Sequence, residues 1–246
     1  MTEFTNRARA DHAPTCTDAS SRIDAIILAG GRASRLDGID KAALIVGGTR
    51  LVDRAIAAAG VVGADRIVLV GPQRARTAAP DSTAFFVSVR EDPPFGGPVA
   101  ALAAGLSKVT ATLVLLLAAD LPHVELAGDR LAAMIEHVVD GSDPEKGTAV
   151  DGVVLVDEAG RDQWLTGIYR AESLRSAIGG LSAGSTNASL HAVMRSLRLE
   201  RIPDHGTSVD IDTWDDVDRF GAVDPTTGGA CVRPDEGETN ERHHPR

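Results

Sequence analysis

Apolar residues in this 246-residue chain fall in runs of five or six, separated by polar segments and by stretches with helical spacing. The first run, residues 23–28 (Ile-Asp-Ala-Ile-Ile-Leu), is rich in β-branched side chains and predicts a strand. Runs at 66–70, 84–89 and 112–117 predict three more. The last of these is the most apolar stretch in the chain and reads as a central parallel strand buried on both faces. Residues 42–46 predict a short strand, followed by a turn at Gly47-Gly48. Leu51, Val52, Ala55, Ile56 and Ala59 share one helix face, with Thr49 as the expected N-cap and Gly60 or Gly63 as the stop. Pro98 opens a small-residue helix over 98–107, and a third helix is expected over 125–139. After the break Gly141-Ser142-Asp143-Pro144, runs at 152–156 and 164–169 predict two strands joined by a turn at 158–162. Helices over 171–178 and 187–197, a strand over 199–202 and a last helix over 214–220 complete the pattern.

Strands alternating with helices at this spacing imply a three-layer α/β/α fold, Rossmann-like, with a mostly parallel, doubly wound sheet. Residues 1–21 and 222–246 are polar and aperiodic and are expected to be a disordered leader and tail around one domain, 22–221. In open α/β sheets, ligands sit beyond the carboxyl ends of the strands. Three segments with chemistry fall at such ends: Gly30-Gly31, Asp120, and Asp210 with Asp212.

Composition narrows the functional classes. A hydrophobic content of 43% and a charged content of 24% are ordinary for a globular protein. The net charge of −10 argues against a general nucleic-acid or anionic-membrane surface, while leaving room for a local basic pocket. Cys16 and Cys231, the two cysteines, form neither zinc spacing nor a disulfide framework, consistent with a reducing cytoplasm. No run approaches the ~18–20 apolar residues of a membrane span, and the first 21 residues lack the apolar centre of a secretory signal.

The first strand runs into Ala29-Gly30-Gly31-Arg32-Ala33-Ser34-Arg35-Leu36-Asp37-Gly38-Ile39-Asp40-Lys41. Adjacent glycines let the backbone approach a ligand closely, and successive N–H groups can form an anion-binding nest. Arg35 and Lys41 add positive charge where phosphate would lie. The pattern is neither the dinucleotide fingerprint G-x-G-x-x-G nor a P-loop, which disfavours a nicotinamide dehydrogenase, and an ordinary strand-to-helix turn stays open. Asp120, at the mouth of the most apolar run, suits Mg²⁺ shared with phosphate oxygens, or alternatively the N-cap of the next helix. Asp210 and Asp212 alternate around Ile211 and would leave one face of a strand. One of them could share the metal; for Asp210 and for Thr213, a capping or structural role is the favoured reading. Asp92, before Pro93-Pro94, is either a turn residue or a ribose or base contact. His123, His137, His191 and His205 are isolated, and Trp164 and Tyr169 read as core.

These residues resemble a known family. Leu28-Ala29-Gly30-Gly31-x-x-x-Arg35-Leu36-x-Gly38-x-Asp40-Lys41 is similar to the signature of the molybdenum cofactor guanylyltransferases and related nucleotidyltransferases. Gly97-Pro98-Val99-Ala100-Ala101-Leu102, Ala119-Asp120-Leu121-Pro122 and Asp210-Ile211-Asp212-Thr213-x-x-Asp216 agree in order, so the resemblance covers residues 22–221. It implies a Mg²⁺-dependent enzyme that moves GMP from GTP to a phosphorylated pterin and releases pyrophosphate. Leu28, Ala29, Gly30, Gly31, Asp92 and Asp120 would contact the nucleotide. Lys41 would hold its phosphates, with Arg35 and Lys41 as the catalytic cations. Asp120 and Asp212 would hold the metal. Transient contact with other proteins of the cofactor pathway is also expected. The chain departs from the family pattern at Leu36-Asp37, at Ala101 and at Gly71-Pro72-Gln73, and Asp-Ile-Asp-Thr is closer to cytidylyl relatives. Cytidylyl transfer, guanylyl transfer to another phosphorylated acceptor, and a non-catalytic nucleotide-binding module are the alternatives.

Overall fold

The computed structural model describes residues 22–30, 36, 38–72, 84–140, 150–181, 184–226 and 229–230. From β1 (Ile23–Leu28) the chain reaches a single 3₁₀ turn, Lys41–Ala43, and a hairpin of β2 (Ile45–Val46) and β3 (Thr49–Arg50). α1 (Leu51–Val62) leads to β4 (Arg66–Val70) and then β5 (Phe85–Val89). Next come α2 (Pro98–Leu106), β6 (Leu113–Ala118), α3 (Glu125–Ala133) and α4 (Ile135–Asp140). β7 (Gly152–Val156) and β8 (Asp162–Arg170) form a second hairpin, followed by α5 (Ala171–Gly179), α6 (Leu190–Met194) and β9 (Leu199–Pro203). α7 (Trp214–Phe220), β10 (Val223–Asp224) and β11 (Gly229–Ala230) end the described chain.

The main sheet has seven strands in the order β5-β4-β1-β6-β8-β7-β9. β8 runs antiparallel to both neighbours, and the remaining pairs are parallel. From β1 the chain winds outward through β4 to β5, then crosses back to place β6 on the other side of β1. The carboxyl ends of β1 and β6 therefore flank the topological switch point, where such sheets bind ligands.

The sheet is covered on both faces, which is why β1 and β6 are buried at every position. One face packs Ile27, Leu115 and Leu117 against α1 and α3 through Val52, Ala55 and Ala127. The other packs Ile26, Leu116 and Tyr169 against Leu102 of α2 and Leu174 of α5. α2 lies close to the sheet at Gly105, where an added Cβ would come within 2.8 Å of Ile26 Cγ2. Its small residues thus serve sheet packing. A third cluster joins Leu36, Leu44, Val46, Leu51, Ile211 and Val217, so segments far apart in sequence share one small core beside the switch point. Asp24, fully buried in β1, accepts from the Thr110 N–H at 2.7 Å and the Ala111 N–H at 3.1 Å and so ties down the entry to β6.

Several expectations need correction. Thr49 belongs to β3, and Arg50 is the N-cap of α1, because the short hairpin consumes the residues between Leu44 and the helix. Of the two expected stops, Gly63, in the left-handed conformation, is the one that ends the helix, as the sequence allowed. The helix expected over 125–139 breaks at Met134 into α3 and α4. That over 187–197 shrinks to α6, with Asn187 at φ 57° donating its N–H to the Gly96 carbonyl at 2.7 Å. Residues 209–212 are irregular chain, so Asp210 and Asp212 do not share a strand face. Part of the expected tail is ordered: Ala222 is buried in the third cluster and Val223 pairs with Ile45 of β2. The leader, both cysteines and residues 231–246 lie outside the described residues. No helix among the described residues is long and apolar enough to cross a membrane.

Candidate active site

Leu28 and Ala118 end their strands in direct register, so the loops after them start side by side. The Ala119 N–H donates to the Leu28 carbonyl at 3.0 Å, and the Ala29 N–H to the Val70 carbonyl at 2.8 Å. This packing makes Gly71 obligatory: a Cβ there would lie 2.8 Å from the Ala29 oxygen. Gly30 is different. It is exposed, and a Cβ would meet Gly71 Cα at 3.6 Å, an ordinary contact. The fold itself does not demand glycine at 30, and its backbone is open to a ligand. Gly31 and Arg35, expected in the phosphate loop, lie outside the described residues.

Lys41 opens the 3₁₀ turn, and its ammonium reaches back to the switch point. It donates to Asp212 Oδ1 at 2.5 Å and lies 3.9 Å from Asp120 Oδ2, with its side chain 16% exposed. Three residues separated widely in sequence thus meet: the lysine after β1, the carboxylate after β6 and the carboxylate before α7. Asp212 is brought in because the Ile211 N–H donates to the Asp120 carbonyl at 3.2 Å while the Ile211 side chain is buried in the third cluster. Thr213 caps α7 in a reciprocal capping box with Asp216, the structural role expected for it. Asp92 is exposed on the loop from β5 to α2, at the same edge of the sheet.

Burial of the Asp120 carboxyl raises its pKa to about 6, against the opposing pull of Lys41; the negative charges of Asp210 and Asp212 push it the same way as burial. Asp210, read from sequence as structural, is therefore an electrostatic member of the site. The folded value stands above the unfolded one, so protonated Asp120 favours the fold. That contribution is complete below about pH 4 and is lost as pH rises through about 6. Asp120→Asn, which imitates the protonated form, is accordingly expected to gain stability relative to the parent chain between pH 4.5 and pH 7 in metal-free urea unfolding. A constant difference across that range would contradict the assignment.

Two supports were not legible as site residues. Arg54 of α1 donates to the Glu125 carboxylate of α3 and to the Val46 carbonyl at 2.7 Å, joining the hairpin after Lys41 to the helix after Asp120. Asp204 folds the segment that carries Asp210 and Asp212; its spacing to Thr207, Asp-x-x-Thr, was the signal available.

Among the described residues, no group of three or more His, Cys, Asp or Glu side chains is arranged to hold a metal ion. The set present still fits a divalent cation that is shared with a substrate. Mg²⁺ is typically held by one or two carboxylates plus phosphate oxygens. Asp120 and Asp212 flank one cationic centre, and the burial that chiefly raises Asp120, with the charges of Asp210 and Asp212 added to it, is what a divalent ion would offset.

A doubly wound sheet with the open Gly30 backbone and a lysine–carboxylate cluster at its switch point makes this an α/β protein with its candidate site where such sheets bind ligands. Within that class, the chain belongs to the MobA-like NTP transferase domain family, whose model matches residues 25–202. A molybdenum cofactor guanylyltransferase of Burkholderia lata is 34% identical over 144 residues, 54% of this chain. The match spans 63% of that relative's length. Solved structures that share the fold include the following two. The molybdopterin-guanine dinucleotide biosynthesis protein A of Archaeoglobus fulgidus has a TM-score of 0.51 at 19% identity, over 80% of this chain and 96% of its own. Rv0371c of Mycobacterium tuberculosis, solved with manganese, has a TM-score of 0.54 at 20% identity, over 81% and 97%.

Proposed function

We propose that this protein transfers GMP from GTP to a phosphorylated pterin acceptor, molybdopterin carrying its metal, and releases pyrophosphate. The observation that carries the reading is the meeting of Lys41, Asp120 and Asp212 beside the open Gly30 backbone at the switch point. The guanylyltransferase likeness of the Burkholderia relative supports the choice of nucleotide and acceptor.

In this reading, a phosphate oxygen of the acceptor attacks the α-phosphorus of GTP. The bond from that phosphorus to the oxygen bridging to the β-phosphate breaks, and pyrophosphate leaves with the bonding pair. A phosphate monoester is largely dianionic at neutral pH, so the attacking oxygen needs no general base. Leu28, Ala29, Gly30 and Gly31 would line the nucleotide, with Asp92, on the loop after β5, as a further contact. Lys41 and Arg35 hold charge on the phosphates as they separate. Asp120 and Asp212 would hold Mg²⁺, which when bound supplies Lewis-acid charge to the phosphate oxygens. Beyond Asp210, a cavity of about 660 Å³ lined by Arg161, Gln163, Arg201 and Ser208 offers the acceptor a place on the side away from the glycine loop.

The Asp210-Ile211-Asp212-Thr213 sequence, closer to cytidylyl relatives, favours CTP as the second reading. Thermal-shift titration separates the two. GTP with Mg²⁺ is expected to raise the melting temperature by several degrees, as ligand at about 100 times its Kd does, while CTP gives little. A larger shift with CTP would reverse the base assignment.

A further inference from the structure

Residues 204–212 leave the carboxyl end of β9, pass over β7 and β8, and deliver Asp212 to Lys41 beside β6. Three strand spacings amount to about 14 Å. Eight residues of extended chain reach roughly 26 Å. The segment is therefore much longer than its crossing, and something must take up the slack if Asp212 is to have one position.

Asp204 does so. It is 1% exposed. Its carboxylate accepts from the Thr207 N–H at 3.1 Å, the Ser208 N–H at 3.1 Å and the Thr207 hydroxyl, closing a tight turn. The turn is fixed to the sheet through its backbone: the Asp204 N–H donates to the Val156 carbonyl at 2.8 Å, and Arg130 of α3 donates to the Asp204 carbonyl at 2.6 Å. Thr207 and Ser208 are themselves buried. From Ser208, only Val209 and Asp210 remain before Ile211 docks on Asp120.

We infer that Asp204 is a positioning residue for the metal and phosphate site: it sets where Asp212, and with it Asp210, stand relative to Asp120 and Lys41. The inference rests on the metal reading given under Proposed function. It has a specific rival on the same segment. Ile211 docking and the Thr213–Asp216 capping box also hold Asp212, through the Asp212 N–H donated to Asp216 Oδ2 at 3.2 Å. If those sufficed, Asp204 would stabilise the fold without affecting the site.

Mn²⁺ affinity measured by electron paramagnetic resonance on the full chain distinguishes the two, with Asp212→Asn as reference. Loss of a partner that orients a metal ligand weakens affinity by ~10-fold or more. Asp204→Ala is expected to weaken Mn²⁺ binding to about that degree. Asp204→Asn, which keeps one acceptor oxygen, should restore part of it, and Thr207→Val should fall between. Asp151→Asn is the control: Asp151 also accepts from a backbone N–H and a side-chain hydroxyl, those of Arg198 and Ser173, but sits at the opposite edge of the sheet. It is expected to lower the unfolding midpoint and leave Mn²⁺ affinity unchanged. Should Asp204→Ala misfold, Thr207→Val carries the test. Mn²⁺ affinity within twofold of the parent in folded Asp204 and Thr207 variants, with Asp212→Asn weakened, overturns the inference alone. An unchanged Asp212→Asn overturns the metal reading and this inference with it.

Discussion

Asp120→Asn and Lys41→Met are each expected to reduce nucleotidyl transfer by about 10²-fold or more, with folding intact. The expectation follows from where the two groups stand. Lys41 is a largely buried ammonium held between two carboxylates at the end of the central strands. Its charge acts in a partly desolvated site, where a preorganised cation stabilises a separating pyrophosphate far more than it would in water. Asp120 is the more buried of the two carboxylates beside Lys41, and burial raises its pKa despite the pull of Lys41. Removing Lys41 takes away the cation proposed to face the reacting phosphates, and Asp120→Asn takes away a carboxylate proposed to hold Mg²⁺. The two variants should part in stability. Asp120→Asn relieves a buried charge, whereas Lys41→Met leaves Asp120 and Asp212 facing one another without their cation. Turnover close to the parent in both variants would remove the basis of the proposed chemistry.

The second large effect is structural. Tyr169 of β8 is fully buried on the α2 and α5 face, and its ring covers two glycines of the β7–β8 pair. A Cβ at Gly152 would come within 2.8 Å of Tyr169 Cδ1, and one at Gly167 within 3.0 Å of its hydroxyl. The glycines leave a hollow that the aromatic ring fills. The hydroxyl donates to the Trp164 carbonyl at 2.7 Å, and burial pushes its pKa up, so it stays a neutral donor. Tyr169→Ala should cost about 3–5 kcal/mol of stability in urea unfolding, the range for deleting a buried aromatic. Tyr169→Phe should cost only about 1 kcal/mol, since it loses one hydrogen bond and keeps the ring. Equal losses in the two variants would mean that the hydroxyl, not the ring, anchors the hairpin.

Much of this architecture was legible in the residues. Strands such as 23–28 and 112–117 are apolar because they are buried on both faces, and a two-sided burial leaves a clear signature. Gly30 and Asp120 stood out as candidates because each follows an apolar run that ends a strand, whereas Asp212, expected on a strand face, lies on irregular chain. What stayed hidden was contact between distant segments. No pattern in the sequence shows that Ile211 docks on Asp120, that Arg54 bridges two site-bearing segments, or that Asp210 adds its charge. Thr49 looked like a helix cap because hydroxyl residues favour that position, yet hairpin pairing with Val46 took it. Val223 looked like tail because its pairing partner, Ile45, lies far back in the chain.

The wild-type arm of the transfer assay decides whether this protein is a guanylyltransferase. With Mg²⁺, GTP and molybdopterin carrying its metal, pyrophosphate should appear in step with a guanylylated pterin carrying the α-phosphate label of GTP. Omitting the pterin should abolish both products. Nucleotide binding with no pyrophosphate and no labelled pterin would contradict the account and leave a nucleotide-binding module in its place.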